Sequence, residues 1–189
     1  MKLLFAAAIA TLQTQSTLAT PPLKVFVTSQ SYNGVAFGGV SGADTKCQDL
    51  AAAAGLPDPG SFLAWLSDSS SSPAIRFNNP SNLSYQLVDG TIAIANDFAD
   101  LTNGNIQNPI NVDENGAPTL GIVPTAVWTG TNSAGNLISP NCGGWFDGDG
   151  SGSVGSTDFL SGQWTDNGSQ SCMLTARLYC FQQEIPTVS

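Results

Sequence analysis

Apolar residues along the chain fall into short runs separated by polar, glycine-rich stretches. Residues 24–28, Lys-Val-Phe-Val-Thr, are β-branched and aromatic and predict a strand. Residues 31–39 read as a glycine-containing turn. Residues 41–44 can start a helix that runs over 45–54 and closes at Gly55 and Pro57. Within it Cys47, Leu50, Ala51 and Ala54 recur at i, i+3, i+4 and i+7, one face that asks to be buried. Residues 62–66, Phe-Leu-Ala-Trp-Leu, form a continuous apolar run, predicted as a buried strand. A low-complexity serine loop follows at 67–72. Residues 85–94 carry a strand–turn–strand pattern about Asp89-Gly90. A short helix is expected at 97–101, mostly loop at 102–125, a strand at 126–129 and a turn at 131–135. Residues 142–171, rich in Gly, Ser and Asp, read as a long surface loop around Trp145 and Trp164. Residues 173–182 read as a closing strand. Short strands, one clear helix and long loops predict an α+β domain.

The N-terminus follows another logic. Lys2 precedes an apolar run at 3–12, and Leu18-Ala19 ends a stretch with a small-residue cleavage pattern. This predicts a signal peptide at 1–19 and one domain at 20–189. The apolar run is too short to span a bilayer, and no second one follows, so no membrane span is expected. Exported chains meet oxidising conditions, and the four cysteines, Cys47, Cys142, Cys172 and Cys180, are an even number that suggests two disulfides. Three pairings are possible. The localisation expected is secreted, or periplasmic or cell-surface in a bacterium.

Charge narrows the partners. Five Lys plus Arg face fourteen Asp plus Glu, a net charge of −9, which becomes −10 if Lys2 leaves with the leader. Between Arg76 and Arg177 the chain has no basic residue. Nucleic acid, an anionic membrane and heparin-like polyanions would be repelled. The absence of histidine removes Ser-His-Asp and Cys-His catalysis and every His-ligated zinc site. Carboxylate pairs occur at Asp97/Asp100 and Asp113/Glu114, but nothing in the sequence brings them into one cleft, and a solvated face is the stronger expectation. The chain is not expected to be an enzyme.

In order along residues 24–183, several segments match one pattern. They are Gly39-Val-Ser-Gly-Ala-Asp-Thr-Lys-Cys47, Ala51-Ala-Ala-Ala-Gly-Leu56, Phe62-Leu-Ala-Trp-Leu-Ser67 and Leu87-Val-Asp-Gly90. Val127-Trp-Thr-Gly130, Cys142-Gly-Gly-Trp145, Trp164-Thr165, Cys172 and Arg177-Leu-Tyr-Cys-Phe181 continue it. The set resembles endostatin and the bacterial endostatin-like (DUF1554) domains of the C-type lectin-like superfamily. The resemblance implies a C-type lectin-like fold, a binding scaffold without catalytic machinery. It also implies nested disulfides, Cys47–Cys180 and Cys142–Cys172. A chain-entropy treatment gives those loops upper values of about 5 and about 3.7 kcal/mol. Other family properties do not carry over. Endostatin's zinc histidines and clustered arginines have no counterpart here. Asn108-Pro109 and Trp164-Thr-Asp-Asn167 echo the calcium-dependent sugar site of lectins in the wrong order or spacing.

Two candidate sites remain. Asp147, Asp149, Ser151, Ser153 and Asp158 stand at positions 1, 3, 5, 7 and 12 of a dockerin-like calcium loop, with Gly152 at the sharp-turn position. Serine at position 5, Asp at position 12 and the lack of flanking amphipathic helices favour a plain solvated loop, so no cofactor is expected, with calcium as the weaker reading. Trp145 and Trp164 could stack on sugars, although structural anchoring is the stronger expectation; Trp65 and Trp128 lie in strand patterns and belong to the core. Asn82-Leu-Ser84 and Asn167-Gly-Ser169 fit the glycosylation sequon, which has meaning only in a eukaryotic host. The function expected is a secreted, non-catalytic module that binds a protein or glycan partner. The alternative is a structural or matrix protein, and less favoured is a calcium-assisted carbohydrate binder.

Overall fold

The computed structural model describes residues 21–185 apart from 91, 120, 122 and 124; the proposed leader at 1–19 lies outside them. In chain order come strand β1 (Leu23–Val27), strand β2 (Tyr32–Asn33), helix α1 (Gly39–Ala53), strand β3 (Phe62–Ala64) and the short helix α2 (Pro73–Arg76). Strands β4 (Tyr85–Leu87) and β5 (Ala93–Ala95), the one-turn helix α3 (Phe98–Leu101) and strand β6 (Ala126–Trp128) follow. Strands β7 (Ser151–Ser156), β8 (Ser169–Ser171), β9 (Thr175–Ala176) and β10 (Tyr179–Gln182) complete the chain. The main sheet has the order β3-β10-β1-β4-β5; β6-β7-β8 form a second sheet and β2-β9 a small ribbon. The architecture is α+β, as expected.

The first and last strands pair antiparallel in the middle of the main sheet, with Val25 opposite Phe181 and Phe26 opposite Cys180. Strand β4 joins the other side of β1 in parallel. Both faces of this sheet are covered, which is why residues 25–27 are apolar without alternation. Phe26, Phe62, Ala64 and Cys180 point to one face, where Ala43, Cys47, Leu50 and Ala51 of α1 pack. Leu23, Val25, Val27, Tyr179 and Phe181 point to the other, against Trp65, Trp164, Ile94 and Leu101. The expected helix face is therefore real for Cys47, Leu50 and Ala51, and Ala54 is half-buried.

Helix α1 starts at Gly39, six residues before the expected start. Gly38 caps it from a left-handed conformation with no side-chain bond, so tertiary packing sets the start: Val40 and Ala43 are buried, and a Cβ on Gly42 would lie 1.5 Å from the Phe37 carbonyl oxygen. The other end is local. Gly55, with φ 69°, donates to Ala52 O, and Leu56 donates to Ala51 O, a Schellman closure.

Two expectations need correction. Residues 142–171 are not one surface loop, since β7 and β8 run through them with a register of Ser153 opposite Ser169. Residues 173–182 are two strands rather than one, because the chain leaves the β2 ribbon at Ala176 and enters the main sheet at Tyr179. Both disulfides, Cys47–Cys180 and Cys142–Cys172, form as the resemblance implies. Among the described residues no helix is long and apolar enough to cross a membrane.

One ion pair knots three elements together. Arg76 of α2 donates to both Asp44 oxygens at 2.8 Å and to the Ala64 carbonyl, while Asp44 of α1 accepts from Ala64 N at 2.8 Å. The two side chains are only 14% and 17% exposed. Burial raises the Asp44 carboxyl above its ordinary 3.8, outweighing the opposing pull of Arg76 and of the Ala64 N–H. Arg76→Ala leaves that carboxylate without its cation, and a loss of about 3–5 kcal/mol is expected in urea unfolding at neutral pH. Because the folded carboxyl is raised, its contribution favours the folded state at low pH and fades as pH rises. The Arg76→Ala deficit therefore shrinks as pH falls from 7 towards 4; a deficit that stays constant or grows in that range counts against this account.

Candidate functional site

The segment from 141 to 176 holds most of the residues that sequence reasoning selected. It is tied at both ends by Cys142–Cys172, and Gly34 N donates to Cys172 O at 2.7 Å, fixing it to the end of the β2 ribbon. The chain enters through a tight left-handed turn in which Cys142, Gly143, Gly144 and Trp145 have φ of 50°, 58°, 73° and 74°. The Asn141 side chain caps it by accepting from Gly144 N at 3.2 Å. Two non-glycine residues in this region are costly, on the order of 1–3 kcal/mol each, and persist only where packing determines them. Here Trp145 is driven inward and Phe146 outward.

Trp145 and Trp164 are both fully buried, as are Trp65 and Trp128. No tryptophan ring offers a face to solvent, so Trp145 and Trp164 are core, as the stronger expectation had it, and the weaker one, stacking on a sugar, has no exposed ring to rest on. Trp145 lies edge-on to Trp128, at 5.8 Å between ring centres, and donates from Nε1 to Ser67 O at 2.8 Å. Trp164 lies 4.9 Å from Trp65. Strand β7 passes between them by means of its glycines. A Cβ on Gly152 would meet Cys142 Sγ at 2.7 Å and the Trp128 ring at 2.9 Å; one on Gly155 would lie 2.0 Å from Trp164 O.

A chain of buried hydroxyls joins the tryptophans. Trp65 Nε1 donates to Thr165 Oγ1 at 2.7 Å, and Thr165 Oγ1 donates to Thr131 O at 2.7 Å. Thr129 Oγ1 donates to Thr165 O at 2.6 Å, Thr131 Oγ1 donates to Thr129 O at 2.6 Å, and Ser67 Oγ shares a proton contact with Thr131 Oγ1 at 2.7 Å. All four hydroxyl residues are fully buried. The threonines after Trp128 and Trp164 were the visible signal; their convergence across three elements was not.

The calcium loop, the weaker of the two readings of residues 147–158, finds no support in the geometry. Its positions 5 to 10 are β7, an extended strand paired with β6 and β8, so the segment cannot wrap around one point. Asp158 lies beyond the strand, whose six residues alone span on the order of 20 Å at a strand's rise per residue. Asp147 instead accepts from Asp149 N at 3.0 Å in a local turn, and Ser153, almost fully buried, donates to Pro140 O at 2.9 Å; the Ser151 backbone pairs with Ser171. Among the described residues no group of three or more His, Cys, Asp or Glu side chains could hold a metal ion.

The carboxylate pairs serve the backbone. Asp97 accepts from Asp100 N at the start of α3. Asp100 accepts from Asn96 N, Asn103 Nδ2 and Gln107 Nε2, and the Asn96 N–H leads in holding its carboxyl below the ordinary value. Asp113 accepts from Asn115 N and Ala117 N, and Glu114 from Ser29 N and Oγ. An open hollow of about 530 Å³ borders Phe77, Asn79 and Phe98 and is lined by no titratable side chain.

What the segment does present is apolar. Phe146, Met173 and Leu174 are 71%, 63% and 55% exposed. Each follows a cysteine of the staple closely in an otherwise polar stretch, a signal the sequence carried and the reading above passed over. No protein-family model matches the chain, and no curated protein matches it.

Two outcomes follow from this geometry. Thr165→Val deprives both Trp65 Nε1 and Thr131 O of their buried partner and is expected to cost about 1–3 kcal/mol in urea unfolding. Millimolar calcium is expected to leave the thermal midpoint of the protein unchanged; a midpoint that climbs with calcium would restore the ion site.

Proposed function

We propose that the chain is a secreted, non-catalytic binding module with an endostatin-like, C-type lectin-like fold, whose partner is a protein or a glycan. The observation that carries the reading is the nested pair of disulfides on an α+β frame. One joins the principal helix to the last strand, and the other pins an excursion of the chain at one end of it. Disulfides of this kind suit an extracellular, cell-surface or periplasmic setting. A scaffold stapled in this way holds loops for recognition, and loops rather than the core carry such function. A catalytic alternative finds little support: the carboxylate pairs are committed to turns and caps, and the histidine-free sequence leaves the hydroxyls without an imidazole base.

Burial of every tryptophan moves the reading from glycan towards protein, because flat aromatic stacking is the usual handle for a sugar ring. Polyanions remain disfavoured. Of the basic residues in the described chain, Arg76 is engaged with Asp44 and Arg177 donates to the carbonyls of Thr28 and Ser29.

The test is a parallel screen of the purified protein on a glycan array and on immobilised extracellular proteins, with calcium and with a chelator. The expected result is calcium-independent binding to a protein and passage through a heparin column at physiological salt. Retention on heparin would overturn the charge argument, binding confined to glycans in calcium would replace the protein partner by a calcium-assisted carbohydrate, and self-association with no partner would favour a matrix role.

A further inference from the structure

Phe146, Met173 and Leu174 surround the Cys142–Cys172 staple. The Phe146 ring lies against the start of α1, where a Cβ on Gly39 would come within 2.8 Å of it. The Met173 sulfur stands over Gly148, 3.2 Å from where a Cβ there would be. Gly39 thus leaves room for the Phe146 ring, and Gly148 for the Met173 side chain. The exposed apolar surface is on the order of 300 Å², comparable with the largest patch on a typical monomer.

The place in the fold is specific. Pro21, Ile185 and Pro57 line one hollow, so both ends of the described chain lie beside the segment that follows α1. Gln182 Nε2 donates to Pro57 O at 3.1 Å at that same end. Phe146 lies at the opposite end of α1, a helix of fifteen residues and therefore about 20 Å away. The apolar patch is thus at the other end of α1 from the hollow that Pro21, Pro57 and Ile185 line.

Charge decides what covers it. The exposed acidic residues on the same segment are Asp147 and Asp149, next to Phe146 in sequence, and Asp158 and Asp166 further along, and no Lys or Arg occurs between Arg76 and Arg177. A second copy would bring another acidic rim and another net charge of −9 against the first. An anionic membrane would be repelled in the same way. A cationic polypeptide satisfies both the apolar patch and the acidic rim.

Resting on the binding-module reading above, we infer that Phe146, Met173 and Leu174, with Asp147 and Asp149, form the docking surface for a basic protein segment that carries a large apolar anchor. The patch is smaller than the roughly 800 Å² per partner of a stable interface, so it is the anchor point of a contact. The left-handed turn at 142–145 is part of the device: the strain that sends Trp145 into the core is what turns Phe146 outward.

The experiment uses the whole processed protein and a blocked synthetic peptide, Gly-Arg-Trp-Leu-Arg-Gly. Nuclear magnetic resonance follows the backbone and methyl signals. The expected result is shifts concentrated at 146–149 and 172–174, with affinity falling at least about tenfold when salt rises from about 50 mM to about 500 mM. A peptide with glutamate for arginine, or serine for Trp-Leu, is expected to bind at least tenfold more weakly. Phe146→Ser with Met173→Ser removes the binding and leaves the remaining spectrum in place, whereas Ile75→Ser, at a 77% exposed site on α2, leaves binding intact. Equal binding of the glutamate peptide, shifts centred elsewhere, or a dimer that Phe146→Ser dissociates each overturns the inference. A protein partner found in the screen and still bound by the double variant removes this surface but leaves the binding-module reading standing. No response to the peptide and no partner in the screen removes both.

Discussion

The pairing of the first strand with the last at the centre of the main sheet is the constraint on which the rest of the molecule depends. Strand β1 is hydrogen-bonded to β10 on one side and β4 on the other, so the sheet has no middle until the whole chain is present. Contacts of this sequence separation must meet a large loop-closure cost before any packing rewards them. The Cys47–Cys180 bridge, with a sequence separation of 133, acts on that step by tying α1 to β10. Once the centre exists, α1 covers one face, the Trp65–Trp164 cluster covers the other, and the Arg76–Asp44 pair fixes α2 and β3 at the edge.

The second sheet is held differently. Strand β7 carries little apolar surface of its own, and its sequence, Ser-Gly-Ser-Val-Gly-Ser, has poor strand propensity. What makes it a strand is the narrow space beside the Trp128 and Trp145 rings at Gly152 and beside the Trp164–Thr165 backbone at Gly155, which a bare backbone fills and a side chain would not. The rings in turn need acceptors in a dry interior. Ser67 O and Thr165 Oγ1 supply two of them through a hydroxyl chain that has no exposed member. The tryptophans, the glycines and the threonines are thus one packing unit, and a change in one member is transmitted to the others.

This explains what the sequence made legible and what it hid. Residues 24–28, 62–64 and 126–128 were readable as strands because each is apolar and β-branched or aromatic on its own. The buried face of α1 was readable from the spacing of Cys47, Leu50 and Ala51. The start of that helix was not, since Gly38 and Gly39 look like a turn until Val40 and Ala43 find the sheet. Strand β7 was hidden because its reason lies in residues distant in sequence, and the same glycines and aspartates that simulate a calcium loop are those a crowded strand and its turns require. Trp145 and Trp164 looked like exposed flanks of a loop that does not exist. The apolar surface that does exist, at Phe146, Met173 and Leu174, was written in plain sight but only as three isolated residues, which the Cys142–Cys172 bridge and the pairing of β7 with β8 draw towards one another.

The distribution of charge completes the argument about partners. Arg76 is turned inward onto a carboxylate and two carbonyls, and Arg177, nearly fully buried, onto the backbone of Thr28 and Ser29. Lys24 and Lys46 remain near the surface, the first beside Gln86 and the second 5.9 Å from the Tyr32 ring. Several acids, among them Asp68, Asp97, Asp100, Asp113 and Asp147, sit at turns and caps, where they accept from backbone N–H groups. The folded surface is therefore more uniformly negative than the count of five bases against fourteen acids suggests. Such a field does little for the stability of a contact but speeds the approach of a cationic partner and turns away polyanions and copies of the chain itself. In the contact inferred above, a small apolar anchor set in an acidic field would divide the work: charge would select who arrives, and the patch beside the staple who stays.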